Sequence, residues 1–151
     1  MPRFSVVEFG SRNINGSIRD CFPNVQKYVG IDLYKGDGVD IIGDASKYTP
    51  EYEIDTVVCV SVLEHTPNAK ALIDNAFRIL SPQGLFIVTT VSDPCPKHSE
   101  VDGGPLREDE FYANITRMEL FEWLQDFPFI GMESDTFLTG DLLAWARKGP
   151  R

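Results

Sequence analysis

Short runs of β-branched and aromatic residues alternate along this chain with amphipathic or polar stretches. The apolar runs predict strands at about 5–9, 28–32, 39–42, 56–60 and 85–90, with further apolar segments near 129–137 and 142–147. Apolar positions three and four apart predict helices at about 14–22, 68–80 and 116–126. Residues 46–55, between the third and fourth strands, leave room for at most one helical turn.

The predicted strands are near-continuous runs of valine and isoleucine, which is typical of strands that are buried on both faces. Strands that alternate with helices indicate a parallel sheet covered by those helices. The predicted fold is therefore α/β, a doubly wound, mostly parallel sheet of the Rossmann-like type, in one domain that spans residues 1–151. In such a sheet, ligands bind at the carboxyl ends of the strands, near the switch in strand order.

A glycine-bearing turn follows the first strand, and a carboxylate ends the second. Gly10 and Asp32 are 32 − 10 = 22 residues apart. In nucleotide-binding βαβ units, an acidic residue about 20 residues beyond the glycine turn accepts hydrogen bonds from ribose hydroxyls. The next glycine is Gly16, so the turn departs from the G-x-G-x-x-G pattern that holds a pyrophosphate. NAD and FAD are therefore disfavoured as cofactors.

The composition of the chain argues against some binding partners and locations. A net charge of −9 opposes a broad contact with nucleic acid or with an anionic membrane. No apolar run approaches the roughly 18 residues of a membrane span, and no signal-peptide segment precedes the first strand, so we expect a cytoplasmic protein. Cys21, Cys59 and Cys95 lack metal-ligand spacing, which favours free thiols over disulfides.

Five successive motifs within about residues 5–90 resemble those of the class I S-adenosylmethionine-dependent methyltransferases. They read VVEFGS, YVGIDL, GDA, DTVVCVSVLEH and LSPQGLFIVTT. The likeness is greatest to the small-molecule branch of that class, whose fourth strand ends in Leu-Glu-His. The resemblance implies a seven-stranded sheet with a final antiparallel strand. It also implies S-adenosylmethionine as cofactor and S-adenosylhomocysteine as product.

The resemblance further implies where the cofactor contacts this chain. The methionine moiety is expected to face Glu8, Gly10, Ser11 and Arg12. Asp32 is expected to hold the ribose hydroxyls, with Leu33 against the adenine. The remaining contacts are expected at the adenine edge, from Asp44 and Ala45, and beneath the sulfonium, from Ser61.

His65 and Glu64, directly after the fourth strand, are the candidate catalytic residues. Because a sulfonium methyl group is already activated, the enzyme has mainly to align a nucleophile and exclude water. A base is needed only if the acceptor must lose a proton, and histidine has an ordinary pKa near 6.5 that suits the task. The alternative that His65 caps the next helix or packs under the cofactor stays open. Glu64 either orients His65 or pairs with a surface cation.

The Leu-Glu-His segment also resembles part of a metal-binding pattern. Relatives that methylate polyprenyl catechols or small-RNA ends carry a Glu-x-x-Glu-His pattern that binds a divalent metal. Ser61 stands in place of the first glutamate here. His98 is a lone loop histidine, and such residues are usually solvated. The sequence therefore predicts no metal.

Residues 92–115 form the longest stretch without clear periodicity. Long loops in compact domains are usually functional or disordered, so an acceptor-binding lid and a disordered surface loop are both open interpretations. The first strand begins close to residue 1 and the crossover before the fourth strand is short. Less protein then shields the acceptor side, which favours a large acceptor or cover by a second subunit in a homodimer.

The resemblance implies an enzyme that transfers a methyl group from S-adenosylmethionine to a small molecule, at a hydroxyl of a metabolite, sugar or polyketide. The alternative is a non-catalytic S-adenosylmethionine-binding subunit that supports a partner enzyme.

Overall fold

One seven-stranded sheet organises the computed structural model, which describes residues 4–135 and 139–151. The strands are β1 (Ser5–Phe9), β2 (Lys27–Asp32), β3 (Ile41–Ile42), β4 (Ile54–Val60), β5 (Leu80–Val91), β6 (Phe129–Asp135) and β7 (Asp141–Arg147). The helices are α1 (Ala69–Ile79) and α2 (Arg117–Trp123), with 3₁₀ turns at Arg19–Cys21, Ala45–Lys47 and Leu63–His65. Residues 136 and 137 of a predicted apolar segment lie outside the described residues.

The strand order is β3-β2-β1-β4-β5-β7-β6. Strands β1 to β5 pair in parallel, and β7 pairs antiparallel with both β5 and β6. The predicted α/β sheet of Rossmann-like type, with its final antiparallel strand, is confirmed. The chain leaves β1 toward β2 and β3 on one side and returns to β4 on the other. The switch in strand order therefore lies between the carboxyl ends of β1 and β4, where such sheets bind ligands.

Strand β5 begins five residues before its predicted start at residue 85, directly after α1. The Ser81–Gly84 segment, which punctuates the sequence, forms an irregularity inside the strand instead of a loop. Pairing with β4 passes from Ile54↔Leu80 to Thr56↔Leu85 across it, and Gln83 has a φ of 63°. A bulge accommodates such turn-forming residues without ending the strand.

The predicted helix at 14–22 is wrong, because the structure has a single 3₁₀ turn at Arg19–Cys21 in that segment. The Asn13 side chain accepts a hydrogen bond from the Gly16 amide at 2.9 Å, which closes a local turn. Gly16 has a φ of 139°, outside the helical region. Turn-forming asparagine and glycine therefore override the four-residue apolar spacing. Phe22 packs instead against Phe4, with ring centroids 6.4 Å apart.

The main core lies on one face of the sheet. It contains buried residues of β1, β2, β4, β5 and β7, such as Val7, Val57 and Phe86, together with Ile73 of α1 and Leu120 of α2. A capping box at Thr116 and Glu119 begins α2, as the serine/threonine-x-x-glutamate pattern requires. Neither helix of the described residues has the length and hydropathy needed to cross a bilayer.

Candidate functional site

A cavity of about 790 Å³ opens at the carboxyl ends of β1, β2 and β4. This volume falls within the range of about 300–1,000 Å³ that is typical of small-molecule sites. The structure brings every residue expected to contact the cofactor to its wall: Glu8, Gly10, Ser11, Arg12, Asp32, Leu33, Asp44, Ala45 and Ser61. His65 also lines the cavity, whereas Glu64 lies buried behind it.

The turn after β1 is held against the end of β2. The amides of Gly10 and Ser11 both donate to the Ile31 carbonyl, at 2.8 and 3.1 Å. Gly10 has a φ of 75°, and a Cβ there would lie 2.1 Å from a methyl carbon of Val62. Only glycine satisfies both the left-handed backbone and the close contact with the chain after β4. The residue therefore joins the ends of β1, β2 and β4 at one side of the cavity.

Asp32 ends β2 and orders the loops around it. Its carboxylate accepts hydrogen bonds from the Arg12 amide at 3.1 Å and the Tyr34 amide at 2.9 Å. Each carboxylate oxygen accepts more than one hydrogen bond, so a ligand hydroxyl can be bound as well. Leu33, the next residue, is 59% exposed and offers an apolar surface at the cavity rim.

Asp44, Ala45 and Ser61 complete the wall predicted for the cofactor. The Asp44 carboxylate caps a 3₁₀ turn by accepting from the Ser46 amide at 3.0 Å and the Ser46 hydroxyl at 2.6 Å. These bonds, and Lys47 beside them, lower the pKa of Asp44. Ser61 has a φ of 53°, a left-handed conformation that is uncommon for serine and often occurs at functional sites.

Glu8 is a buried carboxyl group on the face of β1 that is turned away from the main core. The Tyr28 hydroxyl donates to Glu8 Oε2 at 2.6 Å. Burial raises the pKa of Glu8, and the hydrogen bond from Tyr28 acts in the opposite direction. Arg19 stacks on the Tyr28 ring at 4.5 Å and forms an ion pair with Asp40. The sequence interpretation missed this network, although Tyr28 pairs with Val6 and so shares the face of Glu8.

Glu64 is fully buried, which contradicts the alternative that it pairs with a surface cation. Its Oε2 accepts a hydrogen bond from the Thr90 hydroxyl at 2.8 Å, while its Oε1 has no hydrogen-bond partner among the described residues. Burial raises the pKa of Glu64. The Glu64 backbone carbonyl also accepts from the Ala113 amide at 2.9 Å. The residue therefore connects the end of β4 to β5 and to the loop that follows β5.

His65, His98 and Tyr112 form a cluster of three rings beside the cavity. The ring centroids lie 4.9 Å apart for His65 and His98, 5.3 Å for His65 and Tyr112, and 5.0 Å for His98 and Tyr112. Burial, with a further contribution from His98, lowers the pKa of His65 to about 4. His65 is therefore neutral at pH 7, with a lone pair free, but it is a weaker base than a solvent-exposed histidine. Its Nδ1 is buried without a hydrogen-bond partner among the described residues.

His98 is half-buried within this cluster, where it also lines the cavity. Its Nδ1 lies 3.1 Å from the Pro96 carbonyl, which favours the tautomer with a proton on Nδ1 and a free lone pair on Nε2. Donor atoms of Glu64, His65 and His98 lie within 4.8 Å of one another, and this group could hold a metal ion. The expectation that no metal binds stays a prediction.

The loop of residues 92–115 lies partly over the cavity. His98, Ser99, Glu100 and Gly103 all line it, and the Arg12 guanidinium donates to the Glu100 carbonyl at 3.4 Å. The Ile115 amide donates to the Val91 carbonyl at 2.8 Å, which ties the end of the loop to β5. The loop therefore packs against the cavity and β5, and its function as an acceptor lid stays a prediction. No periodicity in the sequence signals these contacts.

The pKa of His65 leads to a prediction for stability against pH. The pKa of His65 is about 4 in the folded protein, below the ordinary value of 6.5. As the pH falls from 6.5 toward 4, the unfolded chain therefore binds a proton at this histidine before the folded protein does. This contribution to stability is present above pH 6.5 and is lost as the pH falls toward 4. The parent protein should therefore lose more stability than His65→Asn over this window, by about 2 kcal/mol at pH 4. Urea titrations of both proteins at pH 7.5 and pH 4 measure the difference, and an equal loss would contradict the assignment.

A model of the family described as "Methyltransferase domain" matches residues 5–133 of this chain. A ubiquinone biosynthesis O-methyltransferase of Psychrobacter cryohalolentis is 35% identical over 40 residues, which are 26% of this chain. The matched segment spans only 16% of that relative.

Solved structures with the same fold are more distant in sequence. One of them is the 1,6-didemethyltoxoflavin-N1-methyltransferase of Burkholderia thailandensis, solved with 1,6-didemethyltoxoflavin and S-adenosylhomocysteine. It superposes with a TM-score of 0.72 at 16% identity, and the alignment covers 97% of this chain and 72% of that protein. The [4+2]-cyclase SpnF superposes with a TM-score of 0.70 at 14% identity, covering 98% of this chain and 76% of its own. At these identities the likeness concerns the fold, which hosts more than one kind of chemistry.

Proposed function

Because the chain belongs to the methyltransferase domain family, we propose that it binds S-adenosylmethionine in the 790 Å³ cavity and methylates a hydroxyl group of a small-molecule acceptor. The observation that carries the proposal is the convergence of all the expected cofactor contacts on this one cavity, together with His65. The solved relative from Burkholderia contains the demethylated product of this cofactor.

The residues present fit the cofactor. Asp32 offers carboxylate oxygens to ribose hydroxyls, and Leu33 offers an apolar surface to an adenine ring. Ser11 and Arg12 line the same cavity at the turn after β1, where the methionine moiety is expected. Glu8, buried near the same turn, supplies a carboxyl group close to the site expected for the methionine amine.

When bound, S-adenosylmethionine supplies a methyl group on a positively charged sulfur, already activated for transfer. The chain has then to orient the acceptor and exclude water. His65 lines the cavity in its neutral form and takes the proton that the acceptor hydroxyl loses. The Tyr112 ring packs edge-on against His65, with centroids 5.3 Å apart, and holds its position.

A small hydroxyl-bearing acceptor suits the rest of the site. Methylation of a hydroxyl releases a proton, which gives the neutral imidazole of His65 a function. The loop of residues 92–115 covers part of the cavity and leaves less room for a macromolecule. The short sequence match is to a protein named as an O-methyltransferase, and the net charge of −9 opposes nucleic acid as acceptor.

The test is transfer of labelled methyl from S-adenosylmethionine to a panel of phenols, sugars and polyketides. We expect turnover with at least one hydroxyl acceptor and a loss of about 10²–10⁴-fold in kcat for His65→Ala, the range typical of a general base. S-adenosylhomocysteine should still bind to His65→Ala. Cofactor binding without transfer to any acceptor would instead favour the non-catalytic subunit, and an undiminished kcat in His65→Ala would remove its role as base.

A further inference from the structure

The two faces of β7 differ sharply in burial. Leu142, Ala144 and Ala146 point into the main core and are at most 1% exposed. Leu143 and Trp145, on the opposite face, are 40% and 46% exposed. A sheet of this class is normally covered on both faces. The exposed face of β7 is therefore an apolar surface that the described residues leave open.

This surface continues across the neighbouring strands. Residues that pair directly across a sheet share one face. Trp145 pairs with Ile87 of β5 and with Gly131 of β6, and Arg147 pairs with Phe129, which is 54% exposed. We call the set of Ile87, Phe129, Leu143 and Trp145 the open face. None of these residues lines the cofactor cavity.

Trp145 lies flat on the sheet at the centre of the open face. A Cβ on Gly131 would come within 2.3 Å of its indole ring, so the ring occupies the space that any other side chain would need. A flat aromatic ring exposes a large apolar area at little cost in conformational entropy, which is why tryptophan is common at the centre of interfaces.

Opposite charges stand at the two ends of the open face. Arg147 is exposed at the end that carries Phe129. Glu133 is exposed at the other end, where it pairs with Leu143. A surface with a cation at one end, an anion at the other and an apolar centre is complementary to a copy of itself turned end for end.

We propose that the open face is a homodimer interface, on which a second copy of this chain packs sheet against sheet. The two-fold axis lies between the sheets and crosses the strands near Trp145. Each Trp145 then contacts its counterpart, and Arg147 of each copy approaches the Glu133 end of the other. Two sheets packed in this way stand about 10 Å apart, close enough for these long side chains to meet.

Sedimentation equilibrium over a series of protein concentrations tests the interface. We expect the parent to be a dimer at high concentration and Trp145→Glu to be a monomer with an unchanged circular dichroism spectrum. Met118→Glu is the matched control, because Met118 is 65% exposed on α2, away from the open face, and this variant should dimerise like the parent. A parent that stays monomeric at every concentration overturns the proposal, as does a dimer that Trp145→Glu leaves intact.

Charge exchange tests the orientation without touching the apolar centre. Arg147→Glu and Glu133→Arg should each raise the dimer Kd by about tenfold, since each places like charges together. The double variant should restore the parent Kd to within about threefold, because the ion pair re-forms with its signs exchanged. Additive weakening in the double variant would contradict the two-fold arrangement.

Discussion

Asp32→Ala should weaken binding of S-adenosylhomocysteine by about 100-fold. Hydrogen bonds to a charged group contribute about 1.5–3 kcal/mol each, and the variant loses those made to the ribose hydroxyls. It also removes the acceptor for the Arg12 and Tyr34 amides, which order the loops at the end of β2. Isothermal titration calorimetry measures the change in Kd directly.

Two further variants separate these effects. Asp37→Ala removes a carboxylate from a neighbouring turn that does not line the cofactor cavity, and its Kd should match that of the parent. Asp32→Asn keeps an acceptor oxygen for the loop amides but lacks the charge, so its Kd should fall between those of the parent and Asp32→Ala. Equal binding by all three variants would show that Asp32 does not hold the ligand.

Gly10→Ala should lower the free energy of unfolding by about 3 kcal/mol. A left-handed alanine costs about 1–2 kcal/mol, and the new methyl group would overlap with Val62, which typically adds about 1–3 kcal/mol. The same displacement moves the turn after β1, so S-adenosylhomocysteine binding should weaken as well. Urea denaturation gives the loss of stability, and calorimetry gives the loss of affinity.

Gly43→Ala is the matched control for this prediction, because a Cβ there meets no atom within 4 Å. Its stability should stay within about 0.5 kcal/mol of the parent. In Gly10→Ala/Val62→Ala, the overlap is relieved but the backbone strain remains, so part of the lost stability should return. If Gly10→Ala is as stable as Gly43→Ala, the conformation of this turn is not as described.

The positions of the central strands were predictable because each strand is marked by its own short run of apolar residues. Val57 and Cys59 belong to an unbroken apolar run, and such a run in a buried parallel strand depends little on its neighbours. The failed helix at 14–22 shows the opposite case. Ile14, Ile18 and Phe22 have helical spacing, but the turn between Asn13 and Gly16 decides the backbone there.

The cofactor side of the site was predictable because the carboxyl ends of parallel strands meet at one edge of the sheet. The acceptor side was not. His98 contacts His65 across 98 − 65 = 33 residues, and the loop of residues 92–115 that carries His98 has no periodic pattern that would place it. The exposure of Trp145 also escaped prediction, because residues 142–146 are all apolar and the sequence therefore does not show which face of β7 is covered.

The most direct test of the account is a calorimetric titration of the folded parent protein with S-adenosylhomocysteine, and in parallel with NAD. We expect saturable binding of one S-adenosylhomocysteine per chain and no comparable heat with NAD. A folded parent that does not bind S-adenosylhomocysteine, or that binds NAD more tightly, would contradict the claim that the ends of β1 to β4 form one pocket for an adenosyl sulfonium.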